Sequence, residues 1–244
     1  MLQQTTKESY SIRKDEIVEE VDYREWIAAD PEKFINNNRN YSGLMMRYRC
    51  AIREVQTKLE VLDDEFSIAY NRNPISSIHT RIKKPASIYR KLQRLGHDFT
   101  AENIEKYLDD VSGVRVVCPY IDDIYKVAEL LAHQDDIEIL AIKDYIENPK
   151  PNGYRSYHMI LQIPVFFSKG KTPMRVEVQI RTIGMDFWAS LEHQLRYKKD
   201  LDDVAGIPVD DVSEELRKSA QTISEMDVHM QSIKEMIGEF YSLD

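Results

Sequence analysis

A chain of 244 residues, 42% hydrophobic and 31% charged, has room for one substantial globular domain plus helical extensions. Its formal net charge of −9 argues against general binding to long nucleic acids, because such binding requires a basic surface. The sequence has no apolar run that could span a bilayer, no signal-peptide pattern and no cysteine framework, so we expect a cytoplasmic protein.

The first part of the chain is predicted to be mostly helical. Residues 1–40 are polar, and the asparagine-rich stretch before Gly43 predicts a boundary. Apolar residues at gaps of three and four then predict one long amphipathic helix over 45–69. The positions of proline, glycine and threonine predict two short helices over 85–95 and 100–108.

Strands and helices alternate in the rest of the chain. Alternating or β-branched segments predict strands at 112–118, 137–146, 156–164 and 174–181. Helical spacing predicts helices at 122–133, 183–197 and 216–240. Because helices flank the run of strands, we predict an α/β or α+β fold with a mixed sheet of four or five strands.

The strand that includes Met174–Thr182 alternates strictly between apolar and polar side chains. Its polar face carries two guanidinium groups, one carboxylate and one amide, from Arg175, Glu177, Gln179 and Arg181. Such a face is either solvated or forms the floor of a site that handles charged groups.

A basic segment without any acid lies between His79 and His97 of this acidic chain. It contains Arg81, Lys83, Lys84, Arg90, Lys91 and Arg94. The segment is either a solvated helix face or a pocket for a compact polyphosphate. Since the sequence has no glycine-rich phosphate loop, side-chain cations and a metal would have to hold the phosphates.

Two carboxylates are candidates for that metal site. Asp110 precedes the first predicted strand, and Glu177 lies within the last one. Carboxylates on adjacent strands can hold Mg²⁺ together with substrate phosphates. Arg115 and Arg181 would then complete a site suited to a nucleoside triphosphate.

Two further segments have alternative interpretations. Tyr154 lies in a turn-rich loop, where it could stack on a base for about 1–3 kcal/mol or simply cover the sheet edge. On the helix after the main strand, one face is polar and is either solvated or part of a site. That face consists of Asp186, Ser190, His193 and Tyr197, opposite an apolar stripe of Ile183, Phe187, Leu191 and Leu195.

Five motifs in this order resemble the RelA/SpoT-type guanosine polyphosphate synthetases. They are Arg81-Ile-Lys83, 110–115, 153–158, 177–182 and 188–193. Because the chain is short, it is similar to the stand-alone small alarmone synthetases of Firmicutes-type bacteria. The resemblance implies a nucleotidyltransferase-like fold and transfer of pyrophosphate from ATP to the 3′-hydroxyl of GDP or GTP, which releases AMP and serves the stringent response.

The resemblance also implies two nucleotide subsites and one metal site. The residues implied for ATP are Arg81 and Arg115, on the adenine, and Lys83, Lys91 and Arg94, on the phosphates. The residues implied for GDP or GTP are Tyr154, which would stack on guanine, and Lys143, His158, Gln179, Arg181, Asp186 and His193. Asp110 and Glu177 are implied to bind Mg²⁺, and Glu177 is also the candidate for activating the 3′-hydroxyl.

Three domain-level expectations follow from the resemblance. We expect an N-terminal extension (1–40), a synthetase domain (41–205) and a C-terminal helical segment (206–244). We expect a homotetramer with contacts through the two long helices, which could alternatively pack on the sheet, and synthesis without a hydrolase domain.

Two other functions are alternatives to this interpretation. One is a nucleotidyltransferase that moves a nucleoside monophosphate, whose Gly-Ser and Asp-x-Asp motifs are missing, and the other is an RNA-binding scaffold that uses the basic segment. The sequence gives no support for single-stranded RNA as a partner of the synthetase, and it does not distinguish GDP from GTP.

Overall fold

The computed structural model describes the backbone of residues 31–197 and 209–241. Most of the predicted polar extension, up to residue 30, therefore lies outside the described residues. No helix within these ranges combines the length and the apolar character that crossing a membrane would require. The elements are α1 (Pro31–Tyr70), β1 (Ser77–Ile82), α2 (Pro85–Arg94), α3 (Ala101–Tyr107), β2 (Ser112–Cys118), α4 (Ile121–Ala132), β3 (Glu138–Asp144), β4 (Tyr157–Phe167), β5 (Gly170–Thr182), α5 (Ile183–Tyr197) and α6 (Val209–Tyr241).

The strands form one five-stranded sheet in the order β1-β2-β5-β4-β3. The central pair, β2 and β5, is parallel, whereas the other neighbouring pairs are antiparallel. The predicted mixed sheet flanked by helices is therefore confirmed. Parallel neighbours need a long crossover connection, and here that connection contains α4, β3 and β4.

One face of the sheet is apolar and is covered by helices. The four apolar side chains that the alternating pattern placed on one face of β5 are at most 2% exposed: Met174, Val176, Val178 and Ile180. Helix α1 packs on this face through a buried stripe that includes Leu44, Tyr48, Val55 and Leu59. Burial of one such side chain contributes about 1.5–3 kcal/mol. Because side chains alternate along a strand, the polar residues of β5 point to the opposite face.

The long helix begins earlier than predicted, because α1 runs without interruption from Pro31 to Tyr70 through the asparagine-rich stretch and Gly43. A glycine inside a helix costs about 1 kcal/mol relative to alanine, which a long packed helix can tolerate. The buried stripe begins at Leu44, directly after this glycine, so tertiary packing rather than local propensity holds the helix together.

Strand β1 was not predicted. Its side chains are only half-buried or exposed, and the strand lies at the sheet edge, so it lacks the apolar alternation that indicated the other strands. Its pairing with β2 brings Arg81 opposite Gly113. The basic segment between His79 and His97 is therefore not one helix face, since it begins on a strand and continues on α2.

Helix α5 packs through a different face from the apolar stripe identified in the sequence. Its buried residues are Met185, Trp188 and Ala189, which contact Leu216, Ala220 and Ile223 of α6 or the main core. The stripe of Ile183, Phe187, Leu191 and Leu195 is between 42% and 59% exposed. Met230, Ile233 and Ile237 in the second half of α6 are exposed as well. The described chain thus presents apolar surface on both C-terminal helices.

Candidate active site

Residues from four strands form one row across the polar face of the sheet. Pairing between neighbouring strands aligns Arg115 of β2, Gln179 of β5, His158 of β4 and Lys143 of β3. The next row places Arg81 beside Gly113 and Gly113 beside Glu177. Residues that are far apart in the sequence are therefore brought together by the register of the sheet.

Asp110 lies just before β2 and is paired with two lysines. Lys83 Nζ is 2.6 Å from Oδ2, and Lys91 Nζ is 2.9 Å from Oδ1. Burial raises the pKa of Asp110, but the two ammonium groups outweigh burial and hold this pKa below its ordinary value. Oδ1 is buried and accepts no well-formed hydrogen bond among the described residues, because the Lys91 contact has ion-pair distance without hydrogen-bond geometry. This oxygen can therefore accept a further cation.

Glu177 is the second carboxylate of the site, in the middle of β5. Gln179 Nε2 donates to its Oε2 at 2.9 Å, and His158 Nδ1 lies 3.4 Å from its Oε1. Burial raises the pKa of Glu177, as does the charge of Asp110, whereas His158 and Gln179 lower it, and the net pKa is below the ordinary value. The two carboxylates are therefore close enough to sense each other and are both ionised at neutral pH.

His158 connects Glu177 to Tyr154. Burial lowers the pKa of His158 more than Glu177 raises it, so the imidazole is neutral at pH 7. The Tyr154 phenol oxygen is 2.8 Å from Nε2 and accepts a hydrogen bond from Arg181 at 2.6 Å. An ionised Glu177 can only accept, so the neutral imidazole carries its single proton on Nδ1, which faces this carboxylate. The unprotonated Nε2 then accepts from the Tyr154 phenol.

Arg181 and Arg115 share Asp186 as a counter-ion. The two guanidinium groups lie 3.1 Å and 3.2 Å from Asp186 Oδ1. Burial and the neighbouring charge of Arg181 lower the pKa of Arg115. Arg115 Nε is buried with no hydrogen-bond partner among the described residues, which is unusual in a folded protein. Asp186 therefore keeps two cations in place that would otherwise repel each other.

Arg81 lies across the space left by Gly113. A Cβ atom added to Gly113 would be 3.4 Å from both Cγ and Nε of Arg81. The Arg81 side chain is exposed, and its charge contributes to the lowered pKa of Arg115. The missing side chain at position 113 thus lets the Arg81 side chain lie directly over β2, two residues along the strand from Arg115.

Three predicted residues lie at the edges of this cluster. Lys143 is exposed at the β3 end of the row. Arg94 is exposed in the last turn of α2, one turn beyond Lys91 and outside the ion pairs with Asp110. His193 is exposed on α5, and the side chain of Tyr197 lies outside the described residues.

The 150–156 loop differs from its prediction and contributes residues that the sequence did not indicate. Tyr154 is partly buried rather than exposed at a loop tip, and it packs against the buried cluster of Trp188, Ala189 and Ala220. Lys150 Nζ lies 4.8 Å from the centre of the Tyr154 ring and 4.6 Å from that of Tyr145. The sequence contained one signal for Lys150, namely a cation four residues before Tyr154. A loop sequence does not show, however, which aromatic ring such a cation contacts.

The donor set at Asp110 and Glu177 fits Mg²⁺. Both residues offer carboxylate oxygens, and no group of three or more His, Cys, Asp or Glu side chains that could hold a metal is found among the described residues. Mg²⁺ keeps several waters and is usually bound by one or two carboxylates plus substrate phosphates, whereas zinc sites need three or four protein ligands. The buried Asp110 Oδ1 supplies one suitable oxygen.

The family model described as "Region found in RelA / SpoT proteins" matches residues 80–202, which include Arg81, Asp110, Tyr154, Glu177 and Asp186. The chain belongs to the RelA/SpoT family. This match begins at β1 and ends just after α5, so it covers the whole polar face described above.

Relatives in the RelA/SpoT family match most of the chain. The GTP pyrophosphokinase YwaC of Bacillus subtilis is 37% identical over 198 residues, which cover 81% of this chain and 92% of YwaC. The GTP pyrophosphokinase YjbM of the same organism is 32% identical over 203 residues, which cover 83% of this chain and 92% of YjbM.

Solved structures show the same fold. Small alarmone synthetase 1 from Bacillus subtilis, bound to its product pppGpp, matches with a TM-score of 0.72 and 31% identity over 81% of this chain and 97% of that protein. Its complex with AMPCPP matches with a TM-score of 0.68 and 30% identity over 82% of this chain and 99% of that protein.

Proposed function

We propose that this chain is a GTP pyrophosphokinase. It transfers the β,γ-pyrophosphate of ATP to the 3′-hydroxyl of GDP or GTP, which gives ppGpp or pppGpp and AMP. The observation that carries the proposal is the position of Glu177 between two different surroundings. Lysines and guanidinium groups lie on its β1–β2 side, and a cluster of aromatic and cationic side chains around Tyr154 lies on its β4 side. The named relatives and the synthetase complexes with pppGpp and AMPCPP support the same reaction.

The β1–β2 side suits ATP. Arg81 lies over Gly113, two residues along β2 from Arg115, and the planar guanidinium groups of both arginines can stack on an adenine ring. Lys83 and Lys91 both pair with Asp110, and their ammonium groups can bind phosphate oxygens instead. Arg94 follows on α2 and extends this cationic surface toward solvent. A triphosphate therefore competes with Asp110 for the two lysines.

Mg²⁺ held by Asp110 and Glu177 would neutralise the triphosphate and replace the two ammonium groups as the partner of Asp110. The chain's own contribution is to keep both carboxylates ionised. The pKa values of both groups are lowered, so no proton has to leave either of them before a divalent cation binds.

The Tyr154 side suits the guanine nucleotide. Tyr154 offers a ring for base stacking, and Lys150 and Lys143 provide positive charge for the 5′-phosphates. Hydrogen bonds from Tyr154 to His158 and from Arg181 to Tyr154 fix the position of this ring. Gln179 fixes the neighbouring Glu177 carboxylate, and Asp186 is the counter-ion of Arg181. His193 lies further along the same helix as Asp186 and extends this side.

Glu177 is placed to orient the 3′-hydroxyl and to accept its proton as the oxygen attacks the β-phosphorus of ATP. In phosphoryl-type transfer, most of the catalysis comes from alignment and from offsetting the developing charge. The hydrogen bond from Gln179 and the nearby His158 fix the direction of the carboxylate, which leaves the remaining lone pairs for the hydroxyl and for Mg²⁺.

The exposed apolar surface on α5 and α6 supports a homo-oligomer, and we propose a tetramer. Phe187 and Ile183 are each more than half exposed, and Met236 and Ile237 add apolar area on α6. Large apolar surfaces are rarely left exposed by monomeric proteins. The substrates ATP and GTP are cytoplasmic nucleotides, so the reaction takes place in the cytoplasm.

The reaction is tested with the purified full-length protein, Mg²⁺, GDP and ATP labelled in the adenine and at the β-phosphorus. The expected products are AMP and a guanosine carrying the labelled pyrophosphate on its 3′-oxygen, in equal amounts. Release of pyrophosphate with a transferred nucleoside monophosphate would instead indicate a nucleotidyltransferase. No turnover with either GDP or GTP would reject the proposal.

A further inference from the structure

Helix α6 touches the 150–156 loop at the residue next to Tyr154. A Cβ atom added to Gly153 would lie 2.6 Å from Ala220 Cβ and 3.4 Å from Arg217 Cα, so the loop backbone rests directly on the helix. Gly153 has a φ of +88°, a conformation that residues with a side chain rarely adopt. The position of the loop is therefore defined by contact with α6 as well as by its own turn.

Arg155 joins the loop to the helix. Its guanidinium group donates to the Gly153 carbonyl at 3.1 Å, to the Ala220 carbonyl at 3.4 Å and to Gln221 Oε1 at 3.0 Å. Arg155, which directly follows Tyr154, thus binds both Gly153, which directly precedes Tyr154, and one turn of α6. Hydrogen bonds from a charged donor are stronger than neutral ones, and a planar guanidinium fixes their directions.

A second contact holds α6 against the end of β5, close to Asp186. Thr182 Oγ1 and Asp227 Oδ2 are 2.6 Å apart, and Thr182 Oγ1 accepts from Met185 N at 3.0 Å. A Cβ atom on Gly184 would be 2.9 Å from Ile223 Cγ2. Helix α6 therefore supports both the loop that carries Tyr154 and the helix start that carries Asp186. Lys83, Lys91 and Asp110 make none of these contacts.

We propose that Arg155 is a positioning residue for the guanine nucleotide, and that the docking of α6 through Arg155 sets the affinity of the Tyr154 side without changing the ATP side. The inference rests on the proposed function, because it assigns the Tyr154 side to GDP or GTP. Binding free energies at coupled sites are reciprocal, so a guanine nucleotide that orders the loop also stabilises the docked helix. Any partner or modification that breaks the contacts of Arg155 with α6 would then change the affinity for the guanine nucleotide more than the affinity for ATP.

The test compares Arg155→Ala, Arg155→Lys and wild type for binding of GDP and of a non-hydrolysable ATP analogue by calorimetry. We expect Arg155→Ala to weaken GDP binding by about tenfold, as for the loss of a charged hydrogen-bond donor, and Arg155→Lys to restore part of the affinity. Binding of the ATP analogue should stay within about twofold, since its residues do not contact α6. In turnover assays the KM for GDP should rise more than kcat falls.

Hydrogen exchange gives a readout that does not depend on activity. GDP should protect the backbone amides of 216–224 in wild type and should fail to do so in Arg155→Ala. Lys234→Ala is the matched control, because Lys234 binds α6 to Asp122 on α4, far along the helix from the loop. It should leave the affinity for GDP unchanged. If Arg155→Ala proves too unstable to purify, Gln221→Ala removes one of the two α6 acceptors of Arg155, at an exposed position, and should weaken GDP binding in the same direction.

The possible results separate the inference from the function. A wild-type chain that does not bind GDP overturns the proposed function and this inference together. Wild-type binding with equal affinity in Arg155→Ala overturns the inference alone, as does equal weakening of GDP and the ATP analogue. The same holds if Lys234→Ala weakens GDP binding as much as Arg155→Ala, because any loosening of α6 would then suffice.

Discussion

Tyr154 donates a hydrogen bond to His158, with 2.8 Å between the phenol oxygen and Nε2. The other ring nitrogen of His158 lies 3.4 Å from Glu177 Oε1. A base that stacks on Tyr154 is therefore connected to the carboxylate through a single imidazole. Any shift of the Tyr154 ring must either break this contact or move His158, so binding of the acceptor and alignment of Glu177 are coupled.

Replacing Tyr154 with alanine should weaken binding of GDP by about 1–3 kcal/mol, because it removes the stacking surface. Binding of an ATP analogue should change little. Tyr154→Phe keeps the ring but loses the contacts with Arg181 and His158, so it should lower kcat more than it raises the Kd for GDP. Calorimetric titration with each nucleotide measures both effects. Equal losses of the two affinities in Tyr154→Ala would assign this loop a structural role.

Glu177→Gln should reduce turnover to the detection limit, a loss of at least about 10²–10⁴-fold, since the amide can neither accept the hydroxyl proton nor bind Mg²⁺ well. The side chain keeps its shape, so the melting temperature should stay close to that of wild type. Product formation from labelled ATP and circular dichroism provide the two measurements. A variant with normal activity would remove Glu177 from the mechanism.

Removal of divalent cations with EDTA should stop synthesis, and added Mg²⁺ should restore it. Asp110→Asn should raise the Mg²⁺ concentration needed for half-maximal rate, because Glu177 would then be the single carboxylate of the site and the asparagine carries no charge. The ATP analogue should still bind to this variant in the absence of metal, since Lys83 and Lys91 lose their anionic partner. A rate that does not depend on Mg²⁺ would contradict the metal assignment.

Asp227→Asn should stabilise the protein at neutral pH. Burial raises the pKa of Asp227 above its ordinary value of 3.8, more than the hydrogen bond with Thr182 and the charge of Arg155 lower it. The protonated form is therefore favoured in the folded state, and this contribution to stability is lost as pH rises from 3.8 through the raised pKa. Asparagine keeps an oxygen for the Thr182 hydroxyl without the charge.

The midpoints of urea unfolding at pH 7.5 and at lower pH measure this gain. The difference between the variant and wild type should be largest at pH 7.5 and should shrink as the pH approaches 3.8. A variant that is less stable than wild type at pH 7.5 would show that the charge of Asp227 stabilises the fold.

Phe187→Glu should dissociate the proposed oligomer, because it puts a charge on an apolar surface that is 59% exposed in the single chain. Phe166→Glu is the control, since Phe166 is an even more exposed aromatic residue near the end of β4. Light scattering after size-exclusion chromatography reports the mass of each variant. An unchanged mass for Phe187→Glu would place the subunit contacts elsewhere.

The sequence predicted those parts of the fold in which local pattern and burial agree. Alternation in Met174–Thr182 predicted both the strand and its two faces, because one face is fully buried. The sequence pattern did not indicate β1, because this edge strand has no buried face. It also misplaced the start of α1, where packing overrides the local preference of the asparagines and Gly43. The apolar stripe on α5 showed that helical periodicity identifies a surface without telling what covers it.

For the site, the family motifs predicted which residues would meet, and the strand register brings most of them together. The pairing of Asp110 with two lysines could not be predicted, because it depends on how α2 lies beside the start of β2. Nor could the role of Asp186 as a shared counter-ion of Arg115 and Arg181, since two arginines on different strands converge on it only in three dimensions.

The parallel pairing of β2 with β5 has a consequence for how the molecule acquires its activity during folding. Gly113 and Glu177 are neighbours in the sheet, but α4, β3 and β4 lie between them in the sequence. Such distant contacts form late in folding, because the chain loses the entropy of loop closure before the contacts stabilise it. We expect refolding in the second or millisecond range rather than in microseconds. A nascent chain whose β5 is still inside the ribosome would be inactive even if its first helices had formed, because β5 carries Glu177.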